Sequence, residues 1–157
     1  GDLRFGETGP GAGLRGADAA VALSPVTDGT LSSPSLLANL HSDHMLWLNT
    51  LDFCKQEIGI LEQRMEEIAA RNTHTDVLAE LEHFQNQYIR QREVIDEMRH
   101  ELKQHENSLE KEVRAHPIAV DHRLFKDHTT HREAMATFEK LYRELKDEFQ
   151  HWLAKRM

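Results

Sequence analysis

From Ser33 onward, apolar side chains return every three or four residues through three segments of similar length, with only two short interruptions. That period gathers them on one face of an α-helix, and three such faces have to be buried against one another. The second segment is the most regular: Leu81, Phe84, Tyr88, Gln91, Ile95, Met98, Leu102, His105 and Leu109 form a heptad seam. The expected fold is all-α, an antiparallel three-helix bundle of long helices.

The boundaries come from capping chemistry and from the breaks. Ser33 can cap the first helix, with Pro34 at its first position, where a missing amide donor costs nothing. Its stripe reads Leu37, His41, His44, Leu48, Leu51, Lys55, Ile58, Met65 and Ile68, helped by Leu61. The break falls at Arg71-Asn72-Thr73-His74, after which Thr75 or Asp76 caps the second helix. The pair His116-Pro117 ends that helix, because the residue before a proline is pushed out of helical geometry. The third helix carries Leu124, His128, His131, Met135, Phe138, Tyr142, Leu145, Phe149 and Trp152. Its start is placed near Asp121 or at Asp127, since the β-branched pair Thr129-Thr130 weakens its first turns. The helices are expected over about 34–71, 75–115 and 119–156.

Residues 1–33 differ from the rest. They hold seven of the eight glycines with Pro10 and Pro25 and no sustained apolar period, the composition of a flexible Gly/Ala/Ser/Pro-containing arm. The bundle domain is then 34–157. The chain has no run of about 18 apolar residues, which excludes a membrane-spanning helix. A net charge of −8 without a clustered basic face argues against nucleic acid as a partner. The single Cys54, off the central stripe, excludes an intramolecular disulfide and a Cys-rich zinc site. It fits a reducing compartment, so cytoplasmic is the default expectation.

The bundle stripes carry an unusual layer. Short connections make neighbouring helices antiparallel, and the resulting register puts His41 and His44 of the first helix at the level of His105. His128 and His131 of the third helix reach the same level, all within about one turn, or roughly 5 Å. Each histidine pair is spaced i, i+3 and shares a face. Glu101, four residues before His105, is the expected carboxylate ligand or orienting group. Imidazoles converging inside a bundle suit a borderline transition metal, with zinc, iron, copper and nickel all compatible. A surplus of potential ligands favours one octahedral ion or two ions. Ferritin-like Glu-x-x-His pairs on two helices do not occur here, because Glu80 to His83 and Glu97 to His100 both fall on the second helix.

The function expected from the residues is metal binding at a multi-histidine site formed by all three helices near one end of the bundle. Binding without turnover is the expectation; an enzymatic version would be a metal-dependent redox or oxygen-handling activity. The competing class is a non-enzymatic coiled-coil interaction or scaffold protein with a pH-sensitive histidine layer. Helices this long and thin leave limited room for a closed core, so both readings allow a homodimer or a partner helix to complete a larger bundle.

Overall fold

In a computed structural model of the chain, residues 33–116 and 122–156 are described. They form three long helices, α1 (Ser33–Arg71), α2 (Thr75–Ala115) and α3 (His122–Arg156), with no strand among the described residues. Apart from Ser33, the expected arm lies outside the described residues, as does a start of the third helix before His122. No helix is long and apolar enough to cross a membrane, among the described residues.

Local sequence accounts for most of the helix ends. His74 occupies the N-cap of α2, and its carbonyl accepts from the Leu78 amide at 3.1 Å. The expected caps Thr75 and Asp76 are already helical, and Asp76 lies in the first turn, where its charge suits the helix dipole. At the other end α2 stops at Ala115, one residue before His116-Pro117, and the His116 amide closes the last turn on Glu112 O at 2.8 Å. α3 is formed by His122, so the start at Asp127 is corrected. The Thr129 and Thr130 hydroxyls each donate to the carbonyl four residues back at 3.0 Å, which satisfies the threonines inside the helix.

The seams of α2 and α3 turn inward the residues their periodicity names; on α1 the named His44, Leu51, Ile58 and Met65 are buried, but His41 and Lys55 are not. Leu40, His44, Leu51, Cys54, Ile58 and Met65 are buried, with Trp47, Leu61 and Ile68 half-buried along the same line. The true α1 seam steps from His44 by three residues to Trp47 and from Leu51 by three to Cys54. Leu48, four residues on, is half-buried against the same core beside Trp47, whereas the four-residue step from Leu51 to Lys55 is not taken. This single slip turns His41 outward and Cys54 inward. It also sends Lys55 to the surface, where its Nζ donates to Asp96 Oδ1 at 2.7 Å.

The two edges of the α1 seam meet different neighbours. On one edge His41 contacts Glu106, Lys55 contacts Asp96 and Glu62 contacts Arg92, so numbers rise on α1 as they fall on α2. On the other, His128 contacts Asp43, while Tyr142 and Lys146 both reach Glu57, so numbers rise together on α1 and α3. Helices α1 and α2 therefore run in opposite directions, and α3 returns along α1.

Between them lies one main apolar core, from Leu51, Leu102 and Met135 to Leu81, Phe149 and Trp152. A second, smaller apolar cluster joins Leu40, Leu109 and Leu124. The histidine layer separates the two. It is thus closed on both sides by aliphatic side chains and does not lie at a frayed bundle end.

One glycine is unused by this packing. A Cβ added to Gly59, in mid-helix, would meet nothing within 4 Å. Gly59→Ala should stabilise the fold by about 0.5–1 kcal/mol through helix propensity, a rise visible in urea-induced unfolding. An unchanged or lower midpoint would mean that the position is crowded in solution.

Candidate metal centre

Each helix delivers one histidine to the layer by the same means, a seam position where an apolar residue would otherwise sit. His44 of α1, His105 of α2 and His128 of α3 are 1%, 6% and 2% exposed. Each offers one nitrogen, and the three nitrogens lie within 4.8 Å of one another. Their ring centroids are 5.0 to 5.7 Å apart.

Two carboxylates orient the rings from outside. Glu106 of α2 accepts from His44 Nδ1 through one oxygen and from His41 Nδ1 through the other. Asp43 of α1 accepts from His128 Nε2 at 2.9 Å and from Arg132 at 3.3 Å. A ring nitrogen that donates to a carboxylate leaves its other nitrogen with a free lone pair. That remaining atom is buried and without a hydrogen-bond partner in both rings, Nε2 of His44 and Nδ1 of His128, and so is His105 Nε2. Buried polar atoms are ordinarily paired, because desolvating one without compensation costs about 1–3 kcal/mol. Three such atoms in one layer have the character of a ligand set.

The electrostatics agree with neutral rings at His105, His128 and His131. Burial, then the neighbouring imidazoles His131, His44 and His128, push the His105 pKa from 6.5 down to about 4. Burial also lowers His128, against the opposing pull of Asp43. Burial lowers His131 too, with Glu101 opposing. Glu106 is raised by burial, but its hydrogen bonds from His44 and His41 outweigh this and hold it below the usual carboxylate value. Neutral imidazoles flanked by ionised carboxylates are the state in which histidine ligates a cation.

The other expected residues take outer places. His131 is half-buried with its ring 4.8 Å from that of His105, beside the group of three. His41 is exposed and reaches the layer only through Glu106. Glu101 is exposed and bears on the site through its charge near His131.

Asp43 and Glu106 are not distinguished by the sequence pattern. Trp47 packs at 4.9 Å from the His128 ring and 5.8 Å from that of His44, closing one side of the layer. The signal for the two carboxylates was adjacency, since Asp43 precedes His44 and Glu106 follows His105. Helix flanks are rich in acids, however, and adjacency alone does not choose among them.

The donor set fits a transition ion. A tetrahedral ion with nitrogens at about 2.0–2.1 Å spaces them roughly 3.3 Å apart, so each ring would move inward by at most about 1 Å. Cys54 adds no thiolate, because burial, then Glu57 and Glu139, raise its thiol to about 11. Compared with protein-family models, with curated proteins and with solved structures, the chain gives no match.

Proposed function

We propose that this chain is a metal-binding helical bundle in which His44, His105 and His128 ligate one transition-metal ion. The observation that carries the reading is the coincidence of three buried rings, one from each helix, each keeping an unpartnered nitrogen and each offering a nitrogen within 4.8 Å of the others. Three neutral nitrogens favour a borderline divalent ion, zinc, copper, nickel or ferrous iron, over calcium or magnesium, which require oxygen ligands. A three-histidine set leaves at least one position for water, a small anion or a fourth residue, and His131 is the nearest imidazole for it. Asp43 and Glu106 fix the ring orientations and offset the charge of the ion, while His41 and Glu101 act from farther out. The primary role is metal binding.

The test is elemental mass spectrometry on protein purified without chelator and dialysed against one metal at a time. One equivalent per chain is expected for the wild type and less than a tenth for His105→Ala and His128→Ala. Glu106→Gln should keep the stoichiometry and lower affinity about 10- to 100-fold, as loss of an orienting partner does. Equal metal content in the wild type and both histidine variants would end the proposal.

A further inference from the structure

The outer face of α1 carries a second stripe, opposite in direction to the seam that builds the bundle. Leu46, Phe53 and Ile60 stand seven residues apart and are 64%, 61% and 69% exposed. Between and beyond them lie Asn49, Gln56 and Gln63, so the positions of the stripe itself carry no charge from Ser42 to Gln63. The outer faces of the other helices are charged; that of α2 carries Arg90, Glu93 and Glu97. Alternating three- and four-residue steps of large apolar side chains and amides are the pattern of a helix-pairing seam.

We propose that this stripe pairs α1 with α1 of a second copy of the same chain, in antiparallel orientation about a two-fold axis at Phe53. Read from either end the stripe is nearly the same: aliphatic, amide, Phe53, amide, aliphatic. A two-fold at Phe53 sets Leu46 on the other copy's Ile60 and brings Asn49 to within one residue of the level of its Gln56, close to the self-complementarity an isologous contact requires.

The flanks also permit a like partner, although the chain carries a net charge of −8. The two acids bordering the stripe are each neutralised within their own copy, Asp52 by Arg99 at 2.9 Å and Glu57 by Lys146 at 2.8 Å. A parallel pairing would set Asp52 against Glu57 of the second copy on both flanks; the antiparallel one sets Glu57 beside Thr50 and leaves only the two Asp52 groups, each paired with its own Arg99, facing each other near the axis. Covering Met45, Leu46, Phe53, Ile60 and the amides removes roughly 500 Å² per copy, near the total of about 1,000 Å² that marks specific pairs. The pairing is independent of the metal reading, because no stripe residue belongs to the histidine layer.

Sedimentation equilibrium of the full chain tests the pairing. The wild type should run at twice its 18.1 kDa monomer mass at about 100 μM. Phe53→Glu and Ile60→Glu should each weaken the dimer at least 100-fold while leaving the helical circular-dichroism signal unchanged, since both side chains are exposed. Ile89→Glu, on the exposed face of α2, should leave the dimer intact. In a Cys54→Ala background, a mixture of the Leu46→Cys and Ile60→Cys proteins should form the mixed disulfide and little of either homodimer. A wild type that stays monomeric would overturn the proposal, leaving the stripe for a different molecule. A dimer insensitive to Phe53→Glu, or one that crosslinks position 46 to itself, would overturn it as well.

Discussion

Stripped of metal, the His105→Leu protein should unfold at a higher temperature than the wild type, and added zinc should reverse the order. The His105 ring is buried between Leu102 and Leu109 of its own seam and keeps one nitrogen without a partner. Leucine has a similar volume and no polar atom, so the replacement removes a desolvation cost of about 1–3 kcal/mol. With zinc at a thousandfold excess over its dissociation constant, the wild type gains about 4 kcal/mol from linkage and the variant gains none. Differential scanning calorimetry in chelator and in excess zinc reads both halves. A variant that is less stable in chelator would mean that the His105 nitrogen is satisfied in solution. Parallel curves in zinc would mean that the layer holds no ion.

The second large effect is acid instability of the metal-free protein between pH 6.5 and 4. His105 titrates near 6.5 when unfolded and at about 4 when folded. Over that interval the unfolded chain takes up the proton first. The stabilisation is fully present above pH 6.5, declines as pH falls, and is lost at about pH 4, a change of about 3 kcal/mol from this one buried ring. His128 and His131 are lowered by burial as well and steepen the same decline. Below pH 4.5 two carboxylates join them. Burial raises Glu57 and Glu106, but hydrogen bonds from Lys146 and Tyr142 to the former, and from His44 and His41 to the latter, hold both below their ordinary value. Urea midpoints at half-unit pH steps should fall across this window at constant m-value, and His105→Leu should flatten the upper part of the decline. A wild-type profile flat from pH 7 to 5 would show that the rings accept protons inside the fold, as in a hydrated layer.

The proposed metal binding and the expected acid lability share one cause, the placement of polar rings where the heptad pattern calls for apolar ones. Natural cores carry such substitutions where they gain a ligand or fix a register, at a cost in stability. Here the aliphatic cluster of Leu40, Leu109 and Leu124 covers the far side of the layer.

The sequence by itself determined the number of helices, their ends to within a few residues, the seams of α2 and α3, and the common level of His44, His105 and His128. Those features follow from local chemistry: the helical period, the proline break after His116, and short connections that leave antiparallel packing as the way to bury three stripes. Tertiary structure alone decided which line of α1 faces inward. Leu48 and Trp47 are both apolar and adjacent, and a three-residue or a four-residue step from His44 keeps the amphipathic pattern. Packing against two neighbours at once sets Trp47 and Leu48 side by side on the core, buries Cys54 and turns His41 and Lys55 out. The same rotation chose Asp43 and Glu106 over Glu101 as partners of the buried rings, because a carboxylate on a helix flank is positioned by the axial and rotational fit of the facing helix.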